Sequence, residues 1–189
     1  MTNMDRTILE AFDIAAETHD NIGKLIKSCK GMCEKAGYKL LTKDFIRWWT
    51  TRDDDDSILP ASASWSTRWF ILLFKRKDDE KNSVYMLEIN LTIPNVTAAK
   101  FIYKHEVNYI NVNKDFDSYS WPVNMDDRYS YKDVEVNGFT FKRATLQAYR
   151  NKNWANSVLF VEFPLSEITA ENIQEKIFGT FDKLAALRS

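Results

Sequence analysis

The sequence predicts an α+β fold in a single domain over residues 1–189. A mainly antiparallel sheet of about five to seven strands should carry a long N-terminal helix and an amphipathic C-terminal helix. Three observations point there. Trp69-Phe70-Ile71-Leu72-Leu73-Phe74 is apolar at every position, whereas Tyr85-Met86-Leu87-Glu88-Ile89-Asn90-Leu91 alternates. The stretch from Trp65 to Ile93 therefore reads as two strands joined by a charged turn, the first needing cover on both faces. Helical patterns lie only before and after the strand block, which argues against alternating βαβ units.

The N-terminal helix is expected from Asp5 to Ala36. Ile8, Phe12, Ala15, His19, Ile22, Ile26, Cys29, Cys33 and Ala36 recur at alternating spacings of four and three, a heptad-like stripe. Gly37 is placed to end it. A continuous helix of that length would run about 48 Å, longer than the roughly 40 Å diameter of a compact domain this size. A break or bend near Gly23 or Gly31 is the favoured expectation. The alternative is a projecting helix that pairs with a partner helix.

Tyr38-Lys39-Leu40-Leu41 suits an edge strand, and Phe45 to Trp49 fits a strand or a short helix. Arg52, the run Asp53-Asp54-Asp55-Asp56 and Pro60 mark a loop. Beyond the central hairpin, Pro94-Asn95 reads as a turn. Phe101, Tyr103, His105, Val107 and Tyr109 then alternate with Lys104, Glu106 and Asn108 as a third strand. Residues 113–133 read as loop. Asn137-Gly138 suits a type I′ turn between two strands, the second reaching about Tyr149. Val158 to Phe163 is a further strand. Thr169 is a fitting N-cap for the last helix, whose buried face is Ile173, Ile177, Phe181, Leu184 and Ala185.

Composition limits function more than it names one. Net charge is −1, which gives no electrostatic footprint for nucleic acid or a membrane surface. No window approaches the length of an apolar membrane span, and the polar start lacks a signal-peptide core, so the cytoplasm is the expected compartment. Cys29 and Cys33, the only cysteines, sit four apart on one helical stripe, where two reduced thiols are expected rather than a disulfide. They lack a second Cys or His pair at zinc spacing, and His19 is ten residues away. No Gly-rich phosphate loop and no GxSxG elbow occurs. No cofactor and no metal site is expected. Asn90-Leu91-Thr92 and Asn95-Val96-Thr97 match glycosylation sequons by chance in a chain without a secretion signal.

The candidate catalytic residues are Glu88, Asn90 and Glu106. Glu88 lies beside an apolar strand in either hairpin register, and a carboxylate so placed has its charged form disfavoured unless paired. If Phe101 and Tyr103 share a face with Ile89 and Leu91, Glu88 meets Lys104 in an ion pair or Glu106 in a carboxylate pair suited to a divalent cation. Asp79, Glu88 and Glu10 can be laid against the outline of the PD-(D/E)xK nucleases. However, Asp79 falls in a turn and Asn90 stands where that motif has lysine, so the family is not assigned.

Aromatic residues are abundant at 14 %, with six Trp, eight Tyr and twelve Phe. Such side chains anchor interfaces as readily as cores. The favoured expectation is a non-catalytic binding or interaction protein, with Trp48, Trp49, Trp121 and Trp154 as partner-binding candidates. Self-association through the N-terminal helix is a further expectation. The alternative is a metal-assisted hydrolase or small-ligand enzyme centred on Glu88.

Overall fold

A computed structural model of the chain describes residues 3–42, 46–48, 69–79, 81–103, 106–107, 109, 129–136, 138–146 and 155–187. The first element is α1 (Asn3–Cys33), 31 residues without interruption. The expected break at Gly23 or Gly31 does not occur. A helical glycine costs only about 1 kcal/mol relative to alanine, and the burial of Ile22, Leu25, Ile26, Cys29 and Cys33 around them outweighs that. Gly37, at φ +84°, turns the chain out of the helix into the sheet, as its position predicted.

Among the described residues, eight strand segments form one antiparallel sheet. They are β1 (Tyr38–Leu40), β2 (Ile46–Trp48), β3 (Trp69–Arg76), β4 (Ser83–Asn90), β5 (Asn95–Tyr103), β6 (Tyr129–Val136), β7 (Phe139–Leu146) and β8 (Ala155–Pro164). Their order is β1-β3-β4-β5-β8-β7-β6, and β2 continues the β1 edge along β3. The sheet is thus two meanders joined where β5 pairs with β8. β3 is covered on both faces as expected, but it lies next to an edge, and β5 holds the centre.

Register fixes the two faces. Phe70, Leu72 and Phe74 pair with Ile89, Leu87 and Tyr85, whereas Ile71 pairs with Glu88 and Trp69 with Asn90. The first set faces α1 and the C-terminal helix, together with Val96, Ala98, Phe141 and Leu159. The second face carries Ile71, Leu73, Met86, Ala99, Phe101, Val158 and Phe160, also buried. All eight residues of β4 are buried, so its alternating pattern marks two different buried faces rather than one wet face.

The third strand departs from expectation. It begins at Asn95, directly after the turn, and ends at Tyr103. Asn90 explains the early start: its Oδ1 accepts from the backbone N–H groups of Thr92 and Ile93 at 2.8 and 3.2 Å, closing a tight turn. The small and β-branched run Val96-Thr97-Ala98-Ala99 then enters the middle of the sheet. Phe101 and Tyr103 consequently lie on the Glu88 face, not on the face of Ile89. Residues 129–133, expected as loop, open β6 and pair with β7. The predicted hairpin pairs β6 with β7, Val136 opposite Phe139 and Gly138 at φ +75°; Asn137 lies outside the described residues.

The C-terminal helix α2 (Gly179–Ala186) follows a π-helical segment, Gln174–Phe178. Adjacent Ile177 and Phe178 are both buried. Phe178 and Phe181 meet Tyr38 and Phe74 at ring-centroid distances of 5.5–5.8 Å, with Tyr85 5.4 Å from Phe181. Each such aromatic pair adds about 0.5–1.5 kcal/mol beyond simple burial. The cluster fastens α2, β1, β3 and β4 together. No helix among the described residues is long and apolar enough to cross a membrane.

A Cβ at Gly23 or at Gly37 would meet nothing within 4 Å, so only backbone preference separates the two positions. Gly23→Ala should raise stability by about 0.5–1 kcal/mol, and Gly37→Ala should lower it by about 1 kcal/mol. Urea unfolding midpoints check both. Loss of stability in Gly23→Ala would mean that the helix bends there after all.

Candidate functional site

Three groupings of side chains stand out from the core. The first surrounds Glu88. β5 sets Thr97, not Lys104 or Glu106, opposite Glu88, and β8 sets Glu162 opposite Thr97. Glu88, Asn90 and Thr97 are 3 %, 5 % and 1 % exposed, buried polar groups on the face that carries Ile71, Met86 and Ala99. Asn95 donates to Glu162 Oε1 at 3.1 Å, and Lys142 Nζ lies 3.5 Å from Glu162 Oε2. Glu106 is exposed and pairs with Lys81 at 3.3 Å, beyond the opposite end of β4. The Glu88–Glu106 pair, the alternative to an ion pair with Lys104, therefore does not form, and Lys104 lies outside the described residues. Asn90 spends its amide oxygen on the turn. Both sequon asparagines, Asn90 and Asn95, thus have engaged side chains.

The second grouping was missed in the sequence. Asp79, in the β3–β4 turn, reaches back over the helix-covered face. Its Oδ2 accepts from Ser83 Oγ at 2.9 Å and from the Tyr85 hydroxyl, and Lys100 Nζ lies 3.5 Å away. The Lys100 and Asp79 side chains are 6 % and 12 % exposed, so both charges are largely removed from water. A buried charge is tolerated only with such partners, since losing one strands the other. Nearby, Tyr38 donates to Asp182 Oδ1 at 3.0 Å, tying β1 to α2. Tyr109 donates to the Ser83 carbonyl at 3.1 Å, and Lys75 Nζ sits 4.0 Å above its ring. The signal for this network was present as Lys100, a lysine in an apolar β-run. It became readable only once register placed Tyr85 beside it.

Burial, and then the Asp79 carboxylate, push the Tyr85 hydroxyl far above the ordinary phenol range. Burial and then Asp182 do the same for Tyr38. Both remain protonated donors, which suits anchoring and not acid–base catalysis near neutrality. Asp79 and Glu88 serve opposite faces of the sheet, and Glu10 lies on the exposed part of α1. The nuclease outline is not assembled. Among the described residues no group of three or more His, Cys, Asp or Glu side chains is placed to hold a metal ion.

The third grouping is the first half of α1. Along the stripe, Ile22, Ile26, Cys29 and Cys33 are buried. His19 is the transition: its ring lies edge-on to Phe70 at 6.2 Å, and Nδ1 is 2.9 Å from the Ala15 carbonyl. Before it, Met4, Ile8, Leu9, Phe12 and Ile14 are 74 %, 49 %, 53 %, 56 % and 65 % exposed. Only Ile93 and Tyr131 join these five among the exposed large apolar side chains of the described residues. Such a concentration marks an interaction surface, whereas scattered single residues would not.

Comparison with protein-family models, with curated proteins and with solved structures gives no match. Of the partner-binding candidates, Trp49, Trp121 and Trp154 lie outside the described residues, as does the Trp48 side chain; the Asp53–Asp56 run lies outside them too. The described aromatics are mostly core: Tyr38, Phe74, Tyr85, Phe141, Phe178 and Phe181 are fully buried.

Tyrosine burial sets a pH dependence. Burial also lifts Tyr109, to about 12, and the Cys29 thiol, to about 12. An unfolded chain loses these protons near pH 8.5 for cysteine and near pH 10 for tyrosine, while the folded chain keeps them. The unfolded state then binds fewer protons, so stability is full below those values and falls as pH rises. The slope is about 1.4 kcal/mol per pH unit for each group past its unfolded pKa. Urea midpoints from about pH 8 to pH 11 should show this decline, with Tyr85→Phe falling less steeply above pH 10. Parallel slopes for the two proteins would contradict the account.

Proposed function

We propose that this chain is a non-catalytic binding protein that takes a protein partner on the first half of α1. The observation that carries this is the exposure of Ile8 and Phe12 on a stripe that is buried at Ile22, Ile26, Cys29 and Cys33, with Met4 and Leu9 exposed beside them. A helix that presents spaced apolar anchors fits recognition of another helix or of a groove. The polar groupings support the same conclusion from the other side. Around Asp79 three donors converge on one carboxylate oxygen, an arrangement that holds structure together. Around Glu88 the strand neighbours are Ile71, Met86, Asn90 and Thr97, which include no second acidic group.

The cytosol is the proposed setting. Cys29 and Cys33 are free, buried thiols, and burial raises both above the ordinary range, so neither is activated for exchange. Two such thiols fit a reducing compartment.

The double variant Ile8→Ser/Leu9→Ser tests the docking face. Both positions are exposed, so unfolding stability should stay within about 0.5 kcal/mol of the parent. Each deleted anchor removes about 1.5–3 kcal/mol of apolar burial in a complex. Affinity-capture from the cell of origin should therefore lose the proteins that the parent retains. Retention of the same proteins by the variant would place the interface elsewhere.

A further inference from the structure

Resting on that docking face, we infer its occupant: a second copy of this chain, whose α1 packs antiparallel on the same exposed stretch. A helix turns about 100° per residue, which fixes what surrounds Ile8. Within about 100° of it on either side, residues 4–19 place apolar side chains, threonines and His19, and the one charged residue there is Asp5. Arg6, Glu10, Asp13, Glu17 and Asp20 all project from the back of the helix, where Arg6 Nε lies 4.0 Å from Glu10 Oε1 and Lys24 Nζ 2.7 Å from Asp20 Oδ2. Interfaces between copies of one chain are more apolar than those between unlike proteins, with charge depleted at their centre. This face has that character. Two such faces meet without opposing like charges, and neither carries a charged border by which an unlike partner would be selected.

Side-chain size along the face makes it complementary to itself. Met4, Ile8 and Phe12 occupy its first turns, half-buried Ala15 follows, and His19 closes it against Phe70. In an antiparallel pair with its two-fold axis level with Ala11 and Phe12, Ile8 of each copy meets Ala15 of the other. The two Phe12 rings meet at the axis. A large side chain facing a small one lets the helices approach closely. The bodies of the two copies also stay apart, because each sheet lies beyond its own His19, at opposite ends of a paired stretch of about 22 Å. A parallel pair would instead drive both sheets into one space.

The area available sets the strength. Met4, Ile8, Leu9 and Phe12 are half to three-quarters exposed, so each leaves on the order of 100 Å² to cover. With the alanines and threonines between them, two copies bury roughly 1,000 Å² in total, the lower bound of a specific interface. The dimer is therefore weak and depends on concentration.

Sedimentation velocity of the full chain, together with cysteine cross-linking, tests the inference. Between about 5 and 200 μM the parent should shift from monomer to dimer, while Ile8→Ser/Leu9→Ser stays monomeric throughout. Under mild oxidation Phe12→Cys should cross-link into dimers, as should a mixture of Ile8→Cys and Ala15→Cys, although neither of those two should do so alone. Asp13→Cys, on the back of the helix, should not cross-link. The native thiols Cys29 and Cys33 are buried and stay out of the reaction. A parent that stays monomeric across the range, a dimer that survives Ile8→Ser/Leu9→Ser, or equal cross-linking at Phe12→Cys and Asp13→Cys overturns the inference. If the monomeric parent still loses its captured proteins on Ile8→Ser/Leu9→Ser, the docking face stands and an unlike protein occupies it. If capture also ignores that substitution, the docking face fails along with the inference. Circular dichroism and urea midpoints confirm that each variant is folded.

Discussion

A straight helix cannot be buried by a sheet shorter than itself. α1 runs 31 residues, about 46 Å, while the longest strand has 10 residues, about 34 Å. The helix-covered face must also hold α2 and its π turn. Only the half of α1 from His19 onward finds a place against the sheet, and the apolar stripe continues past that point into exposure. The mismatch would vanish if the helix broke at Gly23, but the packing of Ile22, Leu25 and Ile26 on either side holds that glycine in line. The exposed first half therefore follows from a continuous helix on a sheet of ordinary size.

The rest of the molecule is organised to keep that sheet rigid. Tyr38, Phe74, Tyr85, Phe178 and Phe181 pack ring against ring, binding the first meander to the C-terminal helix. Directly beside them, Asp79 gathers Ser83, Tyr85 and Lys100, so the β3–β4 turn is drawn onto the sheet. These contacts combine apolar area with a few well-partnered polar groups. Removing a partner from such a network leaves a desolvated charge or hydroxyl behind, which is why its members act together.

Much of this was legible in the residues. The two-sided burial of β3, the alternation of β4, the Asn137-Gly138 hairpin and the helical stripe all follow from periodicity and turn chemistry. The start of β5 was not, because Val96 to Ala99 lacks large side chains and the turn is set by one asparagine, Asn90. Phe178 also lies inward, beside the expected face of Ile177 and Phe181, which widens that face by one position. The candidate site was only half legible. Glu88 was correctly placed on the face opposite Leu87, yet its neighbour depended on where β5 began. Lys100, Asp79 and Tyr85 are distant in the chain and meet only through register. The stripe of α1 was read correctly; which half of it stays exposed depended on the length of the sheet.

Amide hydrogen exchange along α1 in the monomeric full chain tests the central claim most directly. Packed helix exchanges through large openings, and exposed helix through local fraying. Residues 22–33 should be strongly protected and residues 4–18 should exchange much faster, with the transition near His19. Equal protection of the two halves in a monomer would show that the chain covers its own N-terminal stripe, and would contradict the account.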